Sequence, residues 1–300
     1  MTKHIVTGAA GFIGTALCRE LIDIGDEVFA VVRPNSSKVS KLPQSSKLHI
    51  CETTIDNLTE FVKQKKISAD IFFHLAWNGT AGAERENFAT QAVNIRYMQN
   101  ILQASKICNC RKFVGAGSQA EYGVVHGIAK ENTPLNPFMM YGAAKVAAYQ
   151  MGRVLATQMG IDFLWSRIYS VYGAGENSGT LISYLVQTLT EGKTPELSHC
   201  ENMWNFLYVD DCAKILAALG KKSTAIGIYN VASDDTRPLK SFVEEFRNII
   251  APNSTVRFGT RTSDPRRTFW LNPDITKMKA SIDVNFTSFA TGIRRKLSIS

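Results

Sequence analysis

The 300-residue chain lacks any long hydrophobic run, and nothing in it approaches the ~20 apolar residues that span a bilayer. The opening MTKHIVTGAAG has a short polar start and then a strand, without the apolar core or cleavage site of a secretory signal. A cytoplasmic protein with no membrane partner is therefore expected. Cysteine is sparse: Cys18, Cys51, Cys108, Cys110, Cys200 and Cys212 are scattered along the chain. That usage suits reduced, packed thiols and not a disulfide framework. Cys108-x-Cys110 is too tightly spaced for a zinc knuckle and no His–Cys pair follows it, so no metal is expected. Basic runs stop at pairs such as Lys65–Lys66 and Arg266–Arg267, although the net charge is +8. The positive balance suits a polyanionic partner, whether nucleic acid, anionic lipid or a phosphate-rich small molecule, and the lack of a Lys/Arg block argues against nucleic acid. Internal repeats and low-complexity tracts are absent as well.

What the chain does have is core-forming material, with 45% hydrophobic and 20% charged residues, the balance of a folded domain. Lys3 to Thr7 reads as a short buried strand, and Gly11 to Ile24 as a helix with Phe12, Ile13, Leu17 and Leu21 on one face. DEVFAVVRP and KLHICE are the next strands, and Asn57 to Lys66 has helical spacing. DIFFHLA is a continuous apolar run of the kind that fully buried parallel strands use. A long helix is expected over Glu84 to Ile107, then the strand RKFVGAGS, a second long helix from Tyr141 to Met159, and the strand IDFLWSRIY. This alternation predicts an α/β fold with a Rossmann-type doubly wound parallel sheet.

From Tyr169 the texture changes to loops, a helix near Leu181 to Thr190 and short strands, with two helices expected after Pro238. FLYVDDCAKILAAL and GIYNVAS resemble returns to the main sheet. The expected division is a dinucleotide-binding domain over 1–168 with returns at about 206–233. A smaller C-terminal α/β substrate-binding domain would take 169–205 and 234–300.

TGAAGFIG follows the first strand and opens the first helix, with glycines at 8, 11 and 14. Such glycines permit a tight turn, close backbone approach to a pyrophosphate and close packing of helix on strand. The helix N-terminus adds free N–H groups and partial positive charge. At the end of the second strand, an acid would hydrogen-bond the ribose diol of NAD. Here Val31-Val32-Arg33 stands instead, followed by Ser36, Ser37 and Lys38. A guanidinium beside hydroxyls suits a 2′-phosphate, so NADP(H) is expected over NAD(H).

In FMMYGAAKVAAYQMG, Tyr141 lies one helical turn before Lys145 and Tyr149 one turn after it. Spacing alone does not choose between the two rings, and Tyr122 competes by lying near Ser118. A free phenol titrates near ~10, so bringing one to neutrality requires about 4 kcal/mol of differential stabilisation of its anion. A nearby ammonium favours the phenolate.

TGAAGFIG, HLA at 74–76, Asn94 in AVNIRY, GSQAEYG at 117–123 and YGAAK at 141–145 together resemble the extended short-chain dehydrogenase/reductase family. That family includes nucleotide-sugar epimerases, dehydratases and keto-reductases. The resemblance implies Tyr141 as acid/base, Lys145 on the nicotinamide ribose and Ser118 as the assisting hydroxyl. It also implies cofactor contacts at Gly8, Gly11, Phe12, Ile13, Gly14, Leu75, Ala76 and Asn94, with Arg33 and Ser36 at the adenosine end. Tyr122 and Tyr149 fall to packing or substrate contact.

Dehydratases of the family carry Thr-Asp-Glu where this chain has Ser118-Gln119-Ala120, and Glu121 stands one residue out of register. Elimination is therefore not expected. The resemblance and Arg33 together imply an NADPH-dependent reductase of a nucleotide-linked 4-keto-6-deoxyhexose. A nucleotide-sugar 4-epimerase is the alternative, and a non-catalytic cofactor sensor a second one.

The substrate half departs from the family pattern, with Trp204-Asn205-Phe206 where an Arg-Asp-Phe run is common and Ser170 in place of an asparagine. Expected substrate contacts are Trp77, Asn78, Thr80, Ser118, Ser170, Trp204 and Arg266, with Arg267 in reserve. A homodimer through the two long helices is what the resemblance implies.

Overall fold

The computed structural model describes residues 1–262 and 269–299. Seven strands form one parallel sheet: β1 (Lys3–Thr7), β2 (Glu27–Val32), β3 (Leu48–Glu52), β4 (Ile71–His74), β5 (Lys112–Ser118), β6 (Asp162–Ile168) and β9 (Gly227–Val231). Their order is β3-β2-β1-β4-β5-β6-β9, so the strand order reverses between β1 and β4. The doubly wound sheet expected from the alternation is present.

Both faces are covered, and strand alternation sorts the side chains between them. Val6, Ile71, Phe73 and Val114 enter the core built with α1 (Phe12–Asp23) and α6 (Val209–Lys221). Ile5, Phe72, Phe113 and Trp165 enter the opposite core, under α2 (Leu58–Gln64), α3 (Phe88–Ile107) and α4 (Met140–Met159). Lys112 is buried where β5 begins, and its Nζ donates to the carbonyls of Leu219 and Lys222 at 2.7 Å each. A lysine thus closes the end of α6, where carbonyls lack helical partners.

Three expectations are corrected. The strand within FLYV does not return to the main sheet: β8 (Met203–Tyr208) lies between β7 (Ser170–Tyr172) and β10 (Thr236–Pro238) in a separate three-stranded sheet. The edge beside β6 is taken by β9, which pairs from Leu164↔Gly227 to Ile168↔Val231. The Phe206 ring of β8 instead packs with Tyr172, Phe242 and Phe289 at centroid distances of 5.1–5.7 Å. The helix expected from Glu84 begins later, because Asn87 caps α3 by accepting from the Thr90 N–H, and Gly82–Arg85 form a separate 3-10 turn. Among the described residues after Pro238 there are three helices, α7 (Leu239–Ile250), α8 (Thr276–Ser281) and α9 (Phe289–Leu297), with α5 (Leu181–Thr190) before them.

Among the described residues no helix is long and apolar enough to cross a membrane. All six cysteines are free and buried.

Candidate functional site

The first turn of the sheet is shaped by backbone. Gly8 has φ +71° and the Gly11 N–H donates to its carbonyl at 2.9 Å. A Cβ on Gly14 would lie 2.1 Å from the Gly8 oxygen, and one on Gly8 would lie 2.7 Å from the Ala76 nitrogen. The turn, the helix and the segment after β4 therefore touch backbone to backbone. Among the described residues no side chain caps the N-terminus of α1, so its first N–H groups are left as a seat for anionic oxygens. The residues present fit a dinucleotide pyrophosphate.

A cleft of about 870 Å³ runs from this turn along the C-terminal ends of the strands. Gly8, Gly11, Phe12, Ile13 and Gly14 line its floor, and Leu75, Ala76 and Asn94 its middle. Arg33, Ser36 and Lys38 line the end beyond β2, where Arg33 and Lys38 are exposed. At the other end Ser118, Tyr141 and Lys145 come together with Trp77, Asn78, Thr80, Ser170 and Trp204. Arg266 and Arg267 lie outside the described residues. The ends of β1, β2, β4 and β5 meet here because the strand order reverses, and a ligand crevice opens at such a switch point.

Lys145 is buried, donating from Nζ to the Ala116 carbonyl at 2.6 Å and lying 3.5 Å from the centroid of the Trp77 ring. Burial pushes its pKa down to about 7, against the pull of Glu121. His74 is buried nearby and hydrogen-bonded to Thr7 at 2.8 Å; burial and the lysine charge drive its pKa down to about 3, so it is neutral. Trp77 thus supports the lysine, and its indole N–H donates to Gln91 Oε1 at 2.9 Å. Trp77, expected as a substrate contact, lines the cleft with its indole N–H on Gln91 and its ring face on Lys145.

Tyr141 differs from the simple expectation too. Burial raises its pKa, and the groups that oppose the rise are the Arg85 guanidinium and a hydrogen bond with Ser118. The Lys145 ammonium is 5.6 Å from the ring centroid, whereas the Arg85 Cζ is closer, at 4.6 Å. The Ser118 hydroxyl accepts from the Ala120 N–H at 3.1 Å.

Glu121 points away from the cleft and is completely buried. Its Oε1 accepts from the Ser118 N–H at 2.8 Å and the Trp165 Nε1–H at 2.9 Å, and its Oε2 accepts from Arg167 Nε at 2.8 Å. A carboxylate so paired holds Ser118 from behind and reaches no substrate. Gln119 lines the cleft with its Oε1 unpartnered among the described residues, and Ala120 is buried. No acid pair stands at the position where elimination needs one.

The competing tyrosines have other work. Tyr122 is buried and donates to Asn230 Oδ1 at 2.7 Å, and Tyr149 packs beside Phe163 and Trp165. Asn94 is buried with its amide clamping the Asn78 backbone: Oδ1 accepts from Asn78 N–H at 2.8 Å and Nδ2 donates to Asn78 O at 3.0 Å. It holds the segment after β4 against the cleft. Trp204 is half-buried, its Nε1–H unpartnered among the described residues, beside Phe269 and Leu271 in the cleft wall. Asn205 is spent on structure, donating to Ser233 O at 2.9 Å and Thr236 Oγ1 at 2.8 Å. Sequence reasoning missed Arg85 and Gln91, which reach the site only because the 3-10 turn and α3 fold over β4; no local pattern marks them. Among the described residues no group of His, Cys, Asp or Glu could hold a metal ion.

These features define a protein of the doubly wound α/β class with a dinucleotide seat and a tyrosine–lysine–serine corner. More particularly, residues 4–232 match the NAD dependent epimerase/dehydratase family, and the chain belongs to it. A Bacillus subtilis protein described as an uncharacterized UDP-glucose epimerase is 28% identical over 99% of this chain and 97% of its own length. The dTDP-6-deoxy-L-talose 4-dehydrogenase (NAD(+)) of Aggregatibacter actinomycetemcomitans is 25% identical over 81% and 88%. Among solved structures, the UDP-N-acetylglucosamine 4-epimerase of Methanobrevibacter ruminantium M1 superimposes with a TM-score of 0.87 at 22% identity, covering 99% of this chain and 97% of that one. The UDP-glucuronic acid 4-epimerase of Bacillus cereus, in complex with NAD, does so with a TM-score of 0.83 at 22% identity, covering 99% and 97%.

Proposed function

We propose that the chain is a nucleotide-sugar 4-epimerase that keeps its nicotinamide cofactor through the catalytic cycle. The observation that carries this reading is the meeting of Tyr141, Ser118 and Lys145 at one end of a dinucleotide cleft, with Gln119 and Ala120 where elimination chemistry would need acids. Relatives that span nearly the whole chain and are named for UDP-sugar epimerisation support it over the reductase expected from the sequence. The cofactor is NAD, as in the related complex, and Arg33, exposed at the cleft rim, would flank the adenosine end without having to meet a phosphate.

The bound nicotinamide supplies a hydride acceptor and donor for the sugar carbon. Tyr141, as its phenolate, takes the proton of the C4 hydroxyl as that carbon becomes a ketone, and returns it to the oxygen when the carbon is reduced from the opposite face. The sum is an inversion with no net redox change. Ser118 donates to the carbonyl oxygen, where negative charge develops. Lys145 would hold the ribose hydroxyls of the bound cofactor and add positive charge near the phenolate. The sugar nucleotide extends toward Ser170 and Trp204, with Asn78 and Thr80 beside it. The enzyme works in the cytoplasm as a homodimer. Its contact surface is the exposed apolar groove of α3 and α4 lined by Ile95, Met98, Met151, Val154 and Leu155.

A second reading is favoured by one observation: Arg33, Ser36 and Lys38 gather at the cleft end beyond β2, a set suited to a 2′-phosphate. It makes the chain an NADPH-dependent 4-keto reductase. The test is to incubate purified protein, without added cofactor, with a panel of UDP-hexoses and follow the C4 configuration by proton NMR. Interconversion that disappears in Tyr141→Phe is expected. Stoichiometric consumption of NADPH by 4-keto-6-deoxy sugars, with no interconversion, would replace the epimerase by the reductase.

A further inference from the structure

The Tyr141 ring is half-buried in the cleft wall between Trp77 and Arg85, and partial burial makes a phenol resist ionisation. Lys145 is an incomplete remedy, because its own burial weakens its charge, it donates to the Ala116 carbonyl, and its Nζ stands 5.6 Å from the ring centroid. Arg85 behaves differently. It ends the 3-10 turn Gly82–Arg85, lines the cleft, and lies with its guanidinium carbon 4.6 Å from the centroid of the Tyr141 ring. Its Nε is buried with no hydrogen-bond partner among the described residues. The carboxylates that flank it in the chain are turned elsewhere: Glu84 accepts from the Thr90 hydroxyl at 2.7 Å, and Glu86 accepts from the Met140 N–H at 3.2 Å. A guanidinium keeps its charge at every accessible pH, unlike a buried ammonium.

We propose that Arg85 is the second cation of the site and acts through Tyr141, its guanidinium stabilising the ionised ring from the open side of the cleft while Lys145 does so from the sheet side. This rests on Tyr141 being the proton-transfer group of the proposed function.

The charge of a phenolate spreads into its ring, so a cation over the face attracts it more strongly than it attracts the neutral phenol. The other polar and titratable groups around Tyr141 among the described residues leave this task to Arg85. Ser118 hydrogen-bonds the phenol, and Glu121 behind it disfavours the anion, though its carboxylate is spent on Ser118, Trp165 and Arg167. His74, under Lys145, is neutral. Glu84 and Glu86 on Arg85's own turn are engaged as above. Trp77 meets the Tyr141 ring edge-on, 6.2 Å between centroids, and brings no charge. Because the turn is anchored through Gln91, which donates to the Glu84 carbonyl at 2.9 Å and the Gly79 carbonyl at 2.8 Å, Arg85 is held over the ring by the same side chain that orients Trp77.

The test reads ionisation without turnover, so it stands apart from the identity of the substrate. The protein is labelled with 13Cζ-tyrosine, saturated with NAD+, and titrated by NMR; among its nine tyrosines, Tyr141 is assigned by its loss in Tyr141→Phe. Arg85→Met is expected to raise the Tyr141 midpoint by about one pH unit, the low end of the effect of an opposite charge at this range. Arg85→Lys is expected to raise it by less, because the charge survives without the planar stack. The other tyrosine resonances report that the variants keep the fold. An unchanged midpoint in Arg85→Met overturns the proposal, and so does a wild-type Tyr141 that stays neutral up to pH 10.5. If instead Tyr141 titrates as expected while no nucleotide sugar is turned over, the functional reading falls and the electrostatic assignment remains.

Discussion

Lys145 is an ammonium enclosed by protein, with a pKa of about 7 in the folded chain against ~10.4 for an unfolded lysine. Below pH 7 it is charged in both states and the cost of burying the charge is felt in full. Between pH 7 and ~10.4 the unfolded chain holds a proton that the folded chain has released, so stability rises with pH. Wild type should therefore gain on Lys145→Met by about 2 kcal/mol between pH 7 and pH 9, below the limit of ~1.4 kcal/mol per unit. Urea unfolding of the cofactor-free proteins at the two pH values measures it, and parallel stability curves would show that the ammonium is not desolvated. Glu121 offers the complementary case of a buried charge that is well paired. Glu121→Ala strands the Arg167 guanidinium and the Trp165 and Ser118 N–H groups. Removing one partner of such a pair typically costs about 3–5 kcal/mol. The same urea experiment checks this, and a loss under 1 kcal/mol would mean that Arg167 finds another acceptor.

The element that makes the cofactor seat is the turn from β1 into α1, and it tolerates no side chain at Gly14. A methyl there meets the Gly8 carbonyl at 2.1 Å and the Ala9 carbonyl at 2.9 Å, backbone atoms that cannot move without opening the turn. Gly14→Ala should cost about 2–3 kcal/mol of stability, as overpacking does, and should abolish NAD binding measured by calorimetry. Retention of wild-type affinity would show that α1 can slide away from the turn. On the far side of the cleft, the segment after β4 is held by side chains in place of a tight turn, through Asn94 and Gln91. That anchoring turns Trp77 toward Lys145 and brings Arg85 over Tyr141.

For the whole molecule, the uncovered side of α3 and α4 is the part left unfinished. Met151 and Val154 are about half exposed, at 54% and 47%, beside Ile95, Met98 and Leu155, and exposed apolar grooves of this kind mark association surfaces. If two copies pair there, the double variant Met151→Glu, Val154→Glu should sediment as a monomer in analytical ultracentrifugation where wild type sediments as a dimer. A wild-type monomer at micromolar concentration would end the dimer proposal. Such a pairing would put the α4 helices of the two copies back to back, on the face of the helix layer opposite the sheet.

By itself the sequence determined the parallel sheet, the glycine turn and the positions of Ser118, Tyr141 and Lys145. Those features are encoded locally, in strand and helix periodicity and in residues that only one backbone shape accepts. The tertiary structure decided the rest. Glu121 lies one position out of register, and only the packing of β5 against β6 turns it inward to Arg167. β8 has the pattern of a sheet return, but β9 occupies the edge and the aromatic face of β8 extends the core on the α1 and α6 side. Arg85 carries no local signature, because its meaning is a position over a ring more than fifty residues away in sequence, set by how a loop lies across a strand end.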